Sequence, residues 1–182
     1  MMVEDGTGSG KRAQVSDENK LMVMSVSDTN FLHHNAHEGQ AYVWNFSGYD
    51  YDAADTVMFL RNDITENLHI HHVYIYSDTA TKLALHAPSN PTTPAGTEVT
   101  GVNLDRTSGN VAEATAYQDE TANTQGTILH SEYLAANSPL TMLKEEGYEI
   151  VLGKNDCIAI DLVTAGTMAY GHIVGYFKAT EA

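Results

Sequence analysis

Apolar and polar side chains alternate through most of this chain in short stretches. Successive side chains of a β-strand point to opposite faces, so a period of two marks a strand with one buried face. Tyr42, Trp44 and Phe46 alternate with Ala41, Val43 and Asn45, and Ala112, Ala114 and Ala116 alternate with Glu113, Thr115 and Tyr117. Residues 68–76 form a long run rich in aromatics, and Leu83 with Leu85 a short one. Further runs fall at 21–26, 57–60, 99–104, 128–134, 148–152, 157–163 and 168–177. Turn residues separate them, among them Ser47-Gly48, Ser77-Asp78, Gly153-Lys154-Asn155-Asp156 and Ala165-Gly166. Many short strands at such intervals predict an all-β protein, an antiparallel β-sandwich with a jelly-roll-like domain and little helix.

Helical signals are thin. Ser138-Pro139 followed by 140–146 and Gly147 has a cap, a first-turn proline and a terminal glycine, so it reads as one short helix or a turn. Residues 33–38 allow a single helical turn, but so short a segment is marginal by itself and a solvated loop is expected there. The proline-bearing segment 87–96 and the polar segment 118–126 read as loops. The 182 residues suffice for one domain with a sizeable core. Residues 1–19 are expected to form an N-terminal arm and first strand, and 20–182 a single sandwich.

Nine Lys plus Arg stand against 24 Asp plus Glu, a formal charge of −15. Such a surface repels phosphate, which argues against nucleic acid and anionic membrane surfaces as partners. No run approaches the about 18 apolar residues of a membrane-spanning helix. A basic-then-apolar leader and a C-terminal anchor are both lacking, so the chain is expected to be made and kept in a cytoplasm. Cys157 is the single cysteine, so no internal disulfide forms. It lies in an apolar run and reads as a small buried hydrophobe rather than a reactive thiol.

Gly6-Thr7-Gly8-Ser9-Gly10-Lys11 invites comparison with a phosphate-binding loop. That loop needs a glycine where Asp5 stands, a hydroxyl where Arg12 stands, and a buried strand before it. The stretch is instead a glycine-rich arm leading into a strand.

Nine histidines pose a metal question. Within Leu68-His69-Ile70-His71-His72-Val73-Tyr74, strand alternation puts His69 and His71 on one face. His72 is expected on the other, among Leu68, Ile70, Tyr74 and Tyr76. A His-x-His pair resembles the metal-holding strand of cupin barrels, and a cupin-like metal-binding enzyme using His69 and His71 is the alternative from another class. Its following Glu is missing here, since Ile75 and Tyr76 occupy those positions. A third ligand such as His86, His130 or His172 could come only from folding, and two ligands alone make a weak site. No metal or other cofactor is therefore expected. His33 and His37 have the spacing of a helical zinc pair, and Asp50, Asp52 and Asp55 could gather oxygens around calcium. Both are expected to be solvated loops. No nucleophile elbow is present, and the chain is not expected to be an enzyme. Tyr49, Tyr51, Trp44 and Tyr74 could stack on sugar rings if exposed, but alternation sends Trp44 to the core with Tyr42 and Phe46.

The opening Val3-Glu4-Asp5-Gly6-Thr7-Gly8-Ser9-Gly10-Lys11-Arg12-Ala13-Gln14-Val15 resembles the start of many tailed-bacteriophage virion proteins, with an acidic EDGTG(S/T)G arm and an Ala-x-Val strand. The stretch Gly39-Gln40-Ala41-Tyr42 and the later Val57-Met58-Phe59-Leu60-Arg61-Asn62-Asp63 look like the same proteins, where a strand ends in an Asn-acid turn. Gly147-Tyr148-Glu149-Ile150-Val151-Leu152-Gly153-Lys154-Asn155-Asp156-Cys157-Ile158-Ala159-Ile160 resembles a turn of jelly-roll virion modules, with Asn155 where a glycine is common. The resemblance implies a virion structural protein, most like a decoration (cement) protein on the outer face of the head shell. A tail-fibre or tail-tip subunit is the close alternative. It further implies the major capsid protein as partner and a homo-oligomer, taken as a trimer. Candidate interface residues are Gly6, Gly8, Gly10, Lys11, Arg12 and Val15 of the arm. Gly171 and Gly175, on the small-residue face of the last strand, join them.

Overall fold

The computed structural model describes residues 3–4, 12–13, 30–53, 56–89, 95–121, 123–143 and 149–178. Its elements are β1 (Val3–Glu4), β2 (Arg12–Ala13), α1 (Asn30–Ala36), β3 (Ala41–Tyr51), β4 (Thr56–Asn62), β5 (Asn67–Ser77) and β6 (Thr81–Ala87), followed by β7 (Thr97–Glu98), β8 (Val102–Asn103), β9 (Ala114–Glu120), β10 (Thr127–Leu134), β11 (Ser138–Met142), β12 (Ile150–Leu152), β13 (Cys157–Leu162) and β14 (Gly166–Lys178).

Two six-stranded antiparallel sheets pack face to face. One runs β10-β6-β13-β4-β9-β7, the other β11-β5-β14-β3-β8 with β12 also paired to β5. The connectivity has a simple logic. The strands β3, β4, β5 and β6 pair with β14, β13, β12 with β11, and β10, in reverse order, as one long folded ribbon. Rolling that ribbon makes the further pairs β14 with β5 and β13 with β6. This is jelly-roll connectivity, as the sequence pattern predicts. The sandwich lies over 30–178; β1 and β2 pair only with each other, Val3 opposite Ala13 and Glu4 opposite Arg12. Arg12 is thus in a minimal antiparallel pair, while Gly6, Gly8, Gly10, Lys11, Val15 and the run 21–26 lie outside the described residues.

The core lies between the sheets. Tyr42, Trp44 and Phe46 of β3 face Met58, Leu60, Leu83, Leu85, Ile158 and Ile160, all at most 3% exposed. Fully burying each such side chain contributes roughly 1.5–3 kcal/mol. Strands β4 and β13 are buried on both faces, and their sequences are continuous apolar runs rather than alternations. Their second face carries Phe59, Cys157 and Ala159 as a separate small cluster. Burial raises the Cys157 thiol pKa, Asp156 adds to this and Arg61 opposes it, which keeps the thiol protonated and inert.

Three segments depart from the sequence reading. Ser138–Met142 is strand β11, neither helix nor turn, paired with residues 73–77 of β5. Pro139 is tolerated because β11 is an edge, where a missing N–H costs no ladder bond on the open side. Residues 33–36 belong to helix α1 and 37–38 to the turn after it, because Phe31 and His34 dock on the sheet and supply what seven residues lack alone. The Asp50–Asp55 region does not form a free loop throughout: Asp50 is within β3, Asp52 is exposed, and Asp55 lies outside the described residues.

Strand β14 runs between β3 and β5, and its Gly171 and Gly175 are buried inside the sandwich. A Cβ at Gly171 would overlap the Tyr74 carbonyl oxygen and lie 2.8 Å from the Phe46 ring; one at Gly175 would lie 2.6 Å from the His69 carbonyl oxygen. Their cover therefore comes from this chain's own β5 and β3. Gly171→Val and Gly175→Val should each cost about 1–3 kcal/mol through overpacking, seen as a lower melting temperature of the purified chain. A Thr at exposed Arg106 should leave melting unchanged; wild-type melting of both valine variants would refute this packing.

Candidate functional site

The outer face of the β5–β14 pair carries a band of histidines and aromatics. A β-bulge creates it. Val174 pairs with His72 and Gly175 with Ile70, so His71 is the extra residue. Leu68, Ile70, Val73 and Ile75 point into the core, while His69, His71, His72, Tyr74 and Tyr76 are half-buried. The bulge corrects the simple alternation: His72 stands with Tyr74, apart from Leu68 and Ile70.

Stacked rings run along this band. Tyr76 lies on Tyr170 at 4.7 Å, Tyr74 on His172 at 5.1 Å, and His69 on Tyr176 at 4.9 Å. Helix α1 closes one end, with Phe31 flat on His71 at 4.4 Å and His34 on Tyr176 at 4.8 Å. Glu149 gathers the polar groups beneath: the Tyr176 hydroxyl donates to it at 2.9 Å, His69 Nδ1 lies at 3.1 Å and His71 Nδ1 at 3.7 Å. Just past the end of α1, Glu38 bonds His34 Nδ1 and lies 3.3 Å from His33 Nε2.

The pair singled out as metal candidates, His69 and His71, thus turns toward one carboxylate. A metal between the sheets would need them where Leu68 and Ile70 stand. Among the described residues, no group of three or more His, Cys, Asp or Glu is placed to hold a metal ion. Replacing His69 and His71 with Gln should leave melting in the presence of a chelator unchanged. Chelator sensitivity of the wild type that disappears in the double variant would restore the metal reading.

His72 and His172 meet differently, Nε2 to Nε2 at 3.3 Å, so one ring donates its proton and the other accepts it. Both pKa values lie below the usual histidine range. Burial is the main cause for each, and for His72 the charges of His172 and His71 add to it. In the unfolded chain both titrate near about pH 6.5. Below that pH the unfolded state takes up protons that the native state resists, so the stability present above about 6.5 is lost as pH falls. Melting temperature should drop between about pH 6.5 and 5, with a shallower slope in a His72→Gln/His172→Gln variant. An identical slope in that variant would contradict this assignment.

Sequence reasoning gave His86 no role beyond a distant ligand. It is fully buried, with Nε2 2.8 Å from Asp161 Oδ2, although not aligned as a hydrogen bond. The Gly126 N–H donates to its Nδ1, while Thr56 and Gln125 donate to Asp161. These bonds tie residues 125–126 over the outer face of β6 and β13. Only folding brings positions 56, 86, 125 and 161 together, so no local signal could reveal them. The aromatics considered for sugar stacking are largely committed: Trp44 and Tyr51 are buried, Tyr51 bonds Ser77 at 2.7 Å, and Tyr74 stacks on His172.

One edge stands open among the described residues. Strand β10 ends its sheet, pairs among them only with β6, and seven of its eight residues are not buried. Ile128 is 45% exposed, Leu129 43% and Tyr133 70%. Beside it lies a groove of about 330 Å³ lined by Leu129, Val151, Pro88 and Cys157. A second groove of about 350 Å³ lies at Tyr42, Glu66 and Glu113. The Tyr42 hydroxyl pKa is raised there, first by burial and then by the two carboxylates. No protein-family model, no curated protein and no solved structure matches this chain.

Proposed function

We propose that this chain is a structural subunit that acts by assembly: a virion protein of a tailed bacteriophage, of the decoration kind, on the outer surface of the head shell. The observation that carries the assembly reading is the β10 edge. Long, unpaired strand edges attract further strands, and proteins blunt them with Lys, Pro or cover. β10 has neither Lys nor Pro and exposes three large apolar side chains. The virion assignment rests on the short motifs in 3–15, 39–63 and 147–160 that resemble such proteins. A jelly roll suits it, since viral capsid modules use that architecture, although lectin domains and cupins share it. The charge of −15 suits the outside of a shell better than a surface facing packaged DNA. The major capsid protein is the proposed partner.

Gold-labelled antibody to this chain, viewed on tailed particles by electron microscopy, tests the assignment. Label over the head shell is expected. Label confined to the tail would move the chain to the tail-fibre or tail-tip alternative, and unlabelled particles would overturn the virion reading. Deleting residues 1–11 should leave the melting temperature within about 2 °C, on the order of 1 kcal/mol or less for a chain of this size, while reducing the label. A truncated chain that fails to fold would show that the arm belongs to the core.

A further inference from the structure

The β10 edge has a self-complementary sequence, and we infer that it is occupied by β10 of a second copy, paired antiparallel about a two-fold axis at Ser131. The proposal rests on the assembly reading above and names the occupant of that edge. Among the described residues the other outermost strands suit the role less well: β7 and β8 have two residues each and β11 contains Pro139. β10 has eight residues, about 27 Å of strand.

Pairing about Ser131 sets each residue opposite its mirror position. His130 then faces Glu132 of the second copy, and Glu132 faces its His130. Leu129 faces Tyr133, and Ser131 faces Ser131. His130 and Glu132 already share one face, with His130 Nε2 3.4 Å from Glu132 Oε2 within one chain. Two copies set two imidazole rings and two carboxylates alternately around the axis, so that each His130 ring can donate to Glu132 of the other copy. On the same axis Tyr133 of the second copy reaches Leu129, at the mouth of the apolar groove with Val151 and Pro88.

The charge of the whole chain favours this site over a broad contact. Two copies at −15 repel, so a stable approach needs specific pairing that offsets the repulsion. In β10 each Glu132 carboxylate meets a His130 ring of the other copy, which can donate a hydrogen bond to it. The bulge at Leu129 limits the register, because Ile128 pairs with His86 and His130 with Leu85. A two-fold contact of this kind also closes on itself, so it gives dimers rather than fibres.

Cysteine cross-linking of the full chain reads the register directly. A two-fold pair brings the two Ser131 Cα atoms to about 4.5–5.5 Å, within the span of a disulfide. Ser131→Cys should form a covalent dimer under mild oxidation, while Thr127→Cys should not. Cys157 is buried and should stay silent. Sedimentation of the unmodified chain should show a dimer that strengthens with salt as repulsion is screened. Glu132→Lys should weaken the dimer at least tenfold at low salt, and His130→Asp combined with Glu132→Lys should restore it. A chain that stays monomeric at all concentrations and salts overturns the proposal. So does dimerisation that survives Glu132→Lys or that vanishes on deleting residues 1–11, which would make the arm the occupant. A monomer that still labels head shells removes only the second copy; a dimer absent from particles removes the virion reading and leaves the self-pairing standing.

Discussion

The sandwich depends on how closely β14 can approach its neighbours. Among the described residues it is the longest strand, it pairs along nearly its whole length with both β3 and β5, and so it joins one end of the rolled ribbon to the middle of it. Side chains at positions 171 and 175 would collide with carbonyl oxygens of β5, so glycine there sets the spacing of the sheet centre. Glycine inside a strand is entropically unfavourable. The cost is offset because the close approach lets Phe46 and Leu68 pack over those positions, alongside Ile173 and Phe177 in the core.

The same strand governs the outer surface. Its large residues Tyr170, His172 and Tyr176 alternate with the glycines and so must point away from the core. Each finds a ring on β5: Tyr76, Tyr74 and His69. The histidine band is therefore a consequence of packing. Its rings are stacked and its nitrogens are directed to Glu149, Glu38 or each other. One nitrogen of each of His34, His69, His72 and His172 is thereby engaged inside the chain, which fixes how these rings are turned.

What could be read from sequence follows from the range of the forces involved. Alternation is local, and it located most of the long strands and placed Tyr42, Trp44 and Phe46 in the core. The turn at Gly153-Lys154-Asn155-Asp156 was equally legible: Asn155 stands where a glycine is common, and it adopts a positive φ of 68°. The bulge at His71 was not legible, because it arises from the register between β5 and β14, over 100 residues apart. Nor was β11, whose Ser-Pro start imitates a helix N-terminus; its strand form comes from ladder bonds to β5. The His86–Asp161 pair is another product of distant strands. Of the candidate surfaces, the run 128–134 was legible as a strand, but its lack of a second neighbour among the described residues is a fact of topology.

That topology explains why one edge stands apart. In a rolled ribbon the outermost strands are β11 with β12 at one corner and β10 at the other, since β8 and the β9–β7 pair cover the edges of β3 and β4. β11 carries a proline and β12 has only three residues, so their backbone edges are short or interrupted. Among the described residues β10 is neither short nor interrupted by proline, while the chain's formal charge of −15 discourages indiscriminate pairing between copies. An edge left open in an otherwise repulsive surface selects for a partner that can match its few charges in register. The inferred pairing of His130 with Glu132 of a second copy would meet that requirement within a single sequence, since the two side chains already lie 3.4 Å apart in one chain.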